Sequence, residues 1–131
     1  MVNQSFLASF FAVGIGAALG AWARWGLSLC FNSWLPNLPL GTLIANVVGG
    51  FLMGVALGVF SINQTISPEM RLLITTGFLG GLTTFSTFSA ESVDLLSRGE
   101  FGWASLHLIC HVAASLLMTA LGLVTVRFFS S

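Results

Sequence analysis

TGFLGGLTTFSTF, running from Thr76 to Phe88, lies inside an apolar segment that otherwise has the makings of a membrane span. It holds three glycines (Gly77, Gly80, Gly81) and five hydroxyl residues (Thr76, Thr83, Thr84, Ser86, Thr87), and it ends with Phe85 and Phe88 three positions apart. Glycine costs about 1 kcal/mol relative to alanine in a helix interior, so the cluster predicts a break. At membrane depth a broken helix persists only where the freed backbone groups are buried in protein or line a watery cavity. Close helix packing accounts for Gly80 and Gly81, but not for the hydroxyls and paired phenylalanines beside them. The stretch therefore reads as a functional discontinuity of the kind that builds ion and substrate sites in transporters.

The rest of the composition agrees with a membrane setting. Of 131 residues, 56% are hydrophobic and 6% charged, and the mean hydropathy is +0.97. Soluble domains carry about 25% charged residues. The expectation is an all-α integral membrane protein forming one domain over 1–131. The formal net charge is zero and lysine is absent, so no basic patch exists for a nucleic-acid partner. Cys30 and Cys110 sit in apolar surroundings and read as small buried residues, with neither a disulfide framework nor a metal motif. Phe6–Ala23 imitates a signal peptide ending at Ala21-Trp22-Ala23, but Met1–Ser5 has no basic residue and the apolar run continues. An uncleaved first helix is the preferred reading.

A bilayer core takes about 20 apolar residues per helix. Four segments qualify: Ser5–Phe31, Leu40–Ile62, Met70–Leu96 and Phe101–Phe129. Asn32–Pro39 and Asn63–Glu69 separate the first three, and Ser67-Pro68-Glu69 reads as a helix start with proline near its first position. Ser97–Glu100 is a minimal turn. No loop has room for a soluble catalytic domain.

Polar residues inside these spans are the candidate functional ones. Arg24 lies about 10 Å inside the end of the first helix, at 1.5 Å per residue. It reads either as a side chain snorkelling to the interface or as an anion-attracting charge in a vestibule. Gly16 and Gly20 mark a packing face, as do Gly50, Gly54 and Gly58. Asn46 reads as interhelical glue or as a neutral donor to an anion. Glu91 falls one turn beyond Phe88 on the same face. It is either a functional intramembrane carboxylate or, with Asp94, a near-surface group. His107, His111, Ser115 and Thr119 form a stripe spaced by four. Two histidines at that spacing suit a metal, but no third ligand stands beside them in the sequence and HExxH is absent. A polar stripe facing a pore, or hydrogen-bonded between helices, is preferred.

Orientation normally follows an excess of Lys and Arg on one side. Here Arg71 and Arg127 fall on one side, and Arg24 and Arg98 on the other. A two-against-two chain can insert both ways, from which an antiparallel homodimer would follow naturally; the alternative is a single orientation set by weaker cues, and dual topology is the preferred reading.

The sequence resembles the Fluc-type fluoride channels, or CrcB family, over nearly its whole length. The resemblance rests on Gly16-x-x-x-Gly20-x-x-x-Arg24, Gly41-Thr42-Leu43-x-x-Asn46-x-x-Gly49 and Thr76-Gly77-x-x-Gly80-Gly81-x-Thr83-Thr84-Phe85-Ser86-Thr87-Phe88, continued by Glu91, His111 and Ser115. It implies a dual-topology antiparallel homodimer in the cell inner membrane, a multi-pass protein surrounded by lipid, with two fluoride pathways. It implies that Asn46, Phe85 and Phe88 line the ion route, with Ser86 and Thr87 among its polar contacts. Ser115 and Thr119 join that route as candidates from the polar stripe, with Glu91 and His111 as pore-associated candidates. It also implies one structural sodium ion at the dimer interface, held by the backbone carbonyls of Gly80 and Thr83. The function so implied is passive, electrogenic export of fluoride from the cytoplasm, and hence fluoride resistance, with no enzymatic activity.

The chemistry is coherent. Fluoride is small and strongly hydrated, so a pore must replace its water donors without trapping it. Asn and hydroxyl side chains offer neutral hydrogen bonds, and phenylalanine edges carry the positive part of the ring quadrupole. Several weak sites allow entry and exit. The main rival is a small dual-topology proton-coupled multidrug antiporter, which would need a carboxylate in the first helix, where Arg24 is the only charge. An intramembrane hydrolase using Ser86 or Ser115 lacks a nucleophile elbow. A non-conducting membrane subunit is the third rival.

Overall fold

The computed structural model describes residues 3–131. The described residues form helices joined by short turns, with no strand among them. Helix α1 is Gln4–Phe31 and α2 is Leu40–Ile62. Helix α3 covers 68–82 and is itself composite: an α turn at Pro68–Leu72, a π-helical stretch at Leu73–Leu79 and a last α turn at Gly80–Leu82. Thr83 and Thr84 are extended, and α4, Phe85–Ser97, resumes the span. Helix α5 is Phe101–Ser130. Among the described residues four spans are long and apolar enough to cross a membrane: α1, α2, Pro68–Ser97 and α5. The chain is a multi-pass membrane protein, and the third of its spans is broken.

The helix ends follow local chemistry. Asn3 caps α1 by accepting from the Ser5 amide at 3.3 Å. Ser67 caps α3 by accepting from the Met70 amide at 3.2 Å, with Pro68 at the first position, where its missing N–H costs nothing. The third span thus starts at Pro68, two residues before the expected Met70. Gly99 takes a positive φ of 74° in the turn between α4 and α5, a conformation open to glycine without strain. An exposed Asp94–Arg98 ion pair at 3.1 Å flanks that turn, and pairs of this kind add little to stability.

Helix packing depends on the two expected glycine stripes. A Cβ on Gly20 would collide with the Phe78 carbonyl, and one on Gly81 with the Ala17 carbonyl, so α1 and α3 meet backbone to backbone. Gly54 is closed by the Thr119 carbonyl and Gly122 by that of Phe51, which joins α2 to α5 the same way. Without a hydrophobic drive between helices in lipid, such close van der Waals approach is what associates them. The buried apolar core is correspondingly small: a cluster of Ala45, Ala56, Leu79 and Leu82, with Leu38, Phe88, Leu95 and Ala104 buried outside it. Most large apolar side chains face outward, among them Phe10, Trp22, Trp25, Leu116 and Leu117. Cys30 is also exposed on the protomer, whereas the sequence reading had it buried. Apolar neighbours do not separate a core from a surface that faces lipid.

Candidate functional site

The helix break is built from hydroxyls and one amide. Thr83 ends α3, and both its amide (3.0 Å) and its hydroxyl (2.8 Å) donate to the Leu79 carbonyl. Thr84 caps α4 through its Oγ1, which accepts from the Thr87 amide at 3.1 Å. In an unbroken helix the Thr84 amide would bond the Gly80 carbonyl. Here it donates to Asn46 Oδ1 at 2.7 Å, and Asn46 Nδ2 returns a bond to the Thr84 carbonyl at 3.1 Å. The carbonyls of Gly80 and Thr83 are thus deprived of their helical partners, because the Thr84 and Thr87 amides point elsewhere. The Gly81 carbonyl takes Arg24 Nε–H at 3.0 Å. Arg24 is accordingly a cap on the broken helix, half-buried and bonded to backbone.

An open groove of about 390 Å³ runs beside the break. Its walls include Asn46 and Gly49 from α2, Thr83 and Thr84 from the break, Phe85 and Phe88 from α4, and His111, Ser115 and Thr119 from α5. Five candidates expected along an ion route, Asn46, Phe85, Phe88, Ser115 and Thr119, therefore share one surface with His111. Ser86 and Thr87 are not in those walls. They cluster with the cap hydroxyl of Thr84, Thr87 Oγ1 accepting from it at 3.0 Å and Ser86 Oγ lying at 3.3 Å. The two phenylalanines differ in setting. Phe88 is 6% exposed and lies against both histidines, its ring centroid 5.4 Å from His107 and 4.9 Å from His111. Phe85 is 78% exposed, 5.5 Å from Phe88 by ring centroid.

Hydrogen bonds decide which donors the groove still offers. The Asn46 oxygen faces the Thr84 amide, so its nitrogen is fixed as the donor. One N–H goes to Thr84 O and the other to His111 Nδ1 at 3.1 Å. A neutral His111 that accepts at Nδ1 carries its proton on Nε2, and that buried atom has no partner. The Thr119 hydroxyl donates to the Ser115 carbonyl at 2.9 Å. Among the described residues nothing in the chain engages the Ser115 hydroxyl. The groove thus presents one neutral, uncommitted donor, Ser115 O–H, while His111 Nε2–H is a second uncommitted donor buried behind its wall.

A family model described as CrcB-like protein, Camphor Resistance (CrcB), matches residues 11–123. The chain belongs to this family. Among its curated relatives, a protein of Cupriavidus pinatubonensis is 58% identical over 92% of this chain and 96% of its own length. One from Aromatoleum aromaticum is 57% identical over 93% of each chain, and one from Pseudomonas putida 53% identical over 95% and 98%. All three carry the name fluoride-specific ion channel FluC.

Behind the groove of this CrcB chain lies a buried network that sequence reading did not assemble. Thr42 Oγ1 donates to Glu91 Oε1 at 2.7 Å, Glu91 Oε2 meets His107 Nε2 at 3.0 Å, and His107 Nδ1 meets Ser92 Oγ at 3.1 Å. Glu91 therefore sits against His107 within the fold. The Ser92–His107–Glu91 order has the outline of a nucleophilic triad, but the Ser92 hydroxyl proton is donated to the Phe88 carbonyl at 2.8 Å and the serine is buried. Thr42 and Asn46, four apart on α2, share a helical face. That spacing in Gly41-Thr42-Leu43-x-x-Asn46 was the available signal for Thr42 as a partner. His107 was marked by its spacing of four from His111, but nothing local marks Ser92 or points to Glu91 as the partner of His107.

Proposed function

We propose that the chain is a fluoride-selective channel that lets fluoride leave the cytoplasm passively and electrogenically, and so confers fluoride resistance. The observation that carries this reading is the shared name of relatives that match nearly the whole chain at more than half identity. The groove chemistry supports it. Fluoride exchanges water donors for Ser115 O–H and the positive edges of Phe85 and Phe88. Each site is neutral and weak, which suits conduction rather than capture. The antiporter reading finds no support, since α1 holds no carboxylate.

The working unit in this proposal is an antiparallel homodimer of dual topology in the inner membrane. Two features favour it. The groove is open along one side with Phe85 exposed, so a single protomer does not enclose a path. Gly80 is exposed, and a Cβ there would meet nothing closer than the Thr75 carbonyl at 3.6 Å. Packing within the protomer thus gives no reason for a glycine at this position, whereas approach of a second chain does. A sodium ion fits the same place. The Gly80 and Thr83 carbonyls, left without their helical amides, are hard oxygen donors of the type small cations take, and two copies would supply four. Bound there, sodium would offset the partial negative charge of those carbonyls and tie the protomers together.

Reconstituted protein in liposomes tests the function. Fluoride should leave rapidly once a potassium ionophore relieves the charge imbalance, without a proton gradient, while chloride stays. Efflux that requires a proton gradient, or none at all from dimeric protein, refutes the channel.

A further inference from the structure

We propose that Glu91, His107 and His111 form a binding site for a divalent transition cation of the zinc class, set behind the groove wall that His111 helps to line. The ligand atoms of the three residues all lie within 4.8 Å of one another. The histidines are one turn apart on α5, with ring centroids 4.4 Å apart. The third ligand, missing from the sequence neighbourhood, arrives from α4. Two imidazoles and a carboxylate make a ligand set that borderline-soft metals favour over magnesium or calcium.

Proton bookkeeping supplies an independent argument. The Ser92 hydroxyl donates to the Phe88 carbonyl, so toward His107 it can only accept. His107 Nδ1 therefore carries the ring proton, and Nε2 presents a lone pair to Glu91 Oε2 at 3.0 Å. Two lone-pair groups at that distance repel unless a cation lies between them. A proton serves, and so does a metal. Bonds of about 2.0–2.1 Å to zinc place tetrahedral ligands about 3.3 Å apart, a few tenths of an ångström from the 3.0 Å between His107 Nε2 and Glu91 Oε2, and the whole set, within 4.8 Å, has to draw in around the ion. The outer contacts are those of a metal centre: the second nitrogen of His107 is oriented by Ser92, and the second oxygen of Glu91 by Thr42.

His111 completes the site with an Nε2 that is buried and unpartnered. Binding a metal through Nε2 moves its ring proton to Nδ1, against the Asn46 amide, so metal loading displaces one bond of the clamp on the helix break. It also takes up the uncommitted donor buried behind the groove wall. Under the channel reading, on which this consequence alone rests, a bound metal blocks fluoride.

Cobalt(II) is the probe for binding, because its visible absorption reports low coordination number and nitrogen ligation. Purified dimeric protein should bind one cobalt per chain, with zinc displacing it and a hundredfold excess of magnesium failing to. His107→Gln and Glu91→Gln, checked for intact dimer by size exclusion, should each weaken binding at least tenfold. Absence of stoichiometric cobalt binding to the wild-type protein overturns the site, as does binding that neither substitution weakens. In liposomes zinc should slow fluoride efflux through the wild type and spare His107→Gln. Zinc that binds at this site yet leaves wild-type efflux unchanged refutes the block while the site stands.

Discussion

Asn46 is paired with the peptide of Thr84 in both directions, accepting from its N–H at 2.7 Å and donating to its carbonyl at 3.1 Å. A side chain on α2 thus does for one extended residue what a neighbouring strand would do. This is how a break survives at membrane depth, where no lipid can replace a lost amide partner. Of the two readings of Asn46 that the sequence leaves open, these contacts are those of interhelical glue, since both of its N–H groups are taken by Thr84 O and His111 Nδ1.

Substitution of Asn46 should therefore damage the fold before it damages selectivity. In Asn46→Asp the carboxylate still accepts from Thr84 but cannot donate to Thr84 O or His111 Nδ1, and it adds a charge that repels the anion. Asn46→Ala leaves the Thr84 amide unmet, at about 1–3 kcal/mol for a buried group. Both variants should lose thermal stability in detergent and lose fluoride efflux. Wild-type stability of Asn46→Ala would show that the clamp is not needed.

Arg24 offers a sharper contrast. If it acted as a vestibule charge, Arg24→Lys would keep conduction and added salt would weaken it by screening. Its Nε–H instead caps the Gly81 carbonyl, a contact that needs the planar guanidinium. Arg24→Lys and Arg24→Met should then lose stability alike, by roughly 1.5–3 kcal/mol for a charged donor. Efflux through the wild type should depend little on ionic strength. A Lys variant with full stability and efflux would restore the vestibule reading.

These two residues show where sequence reading stops. The four spans, their turns and the break were legible because each depends on local composition: apolar length, Ser67-Pro68, Gly99, and a Gly-rich run ending in hydroxyls. The glycine stripes were legible because helical spacing alone puts them on one face. What Arg24 and Glu91 touch was not legible, since Gly81 and His107 reach them from other helices. The metal-capable cluster was missed for that reason, its carboxylate being sixteen positions from His107. The exposure of Cys30 was missed because lipid and core look alike in composition.

Gly80 and Thr83 separate a contact between protomers from packing within one. Gly80→Ala should leave the protomer fold intact, since a Cβ meets little there, yet reduce the dimer fraction. Gly54→Ala should disrupt the protomer itself, because its Cβ collides with the Thr119 carbonyl. Thr83→Ala removes a hydroxyl bonded to Leu79 O but keeps the carbonyl proposed for sodium. It should cost less transport than Gly80→Ala and retain any sodium dependence of assembly. Light scattering in detergent with sodium or a large organic cation reads both outcomes. Full dimerisation of Gly80→Ala, or assembly indifferent to sodium, would remove the proposed ion site.

Dual topology is tested in whole cells. Cys30 and Cys110 are first replaced by serine, because Cys30 is exposed on the protomer. A single cysteine is then placed at Glu100, avoiding Gly99, whose positive φ disfavours a side chain. A membrane-impermeant thiol reagent should label about half of the copies before lysis and all of them after. Labelling of every copy, or of none, contradicts an antiparallel pair.

The phenylalanines allow the ion route itself to be tested, because the fold treats them differently. Phe88 is buried, stacked on His107 and tilted against His111. Phe88→Ile forfeits those aromatic contacts, worth about 0.5–1.5 kcal/mol beyond area burial, so reduced efflux would be ambiguous between lost packing and a lost edge. Phe85 is 78% exposed on the protomer, and Phe85→Ile keeps most of the volume at a stability cost below about 1.5 kcal/mol. An aliphatic side chain has no electropositive edge to offer an anion. If ring edges carry fluoride, Phe85→Ile should leave a stable dimer that conducts at least tenfold more slowly, and Phe85→Trp, which keeps an aromatic edge, should lose less. The measurement is fluoride efflux from liposomes, on protein whose dimer is verified before reconstitution. Wild-type efflux from a folded Phe85→Ile, Phe88→Ile double variant would end the aromatic-edge mechanism. The route would then rest on the neutral donor of α5, Ser115 O–H.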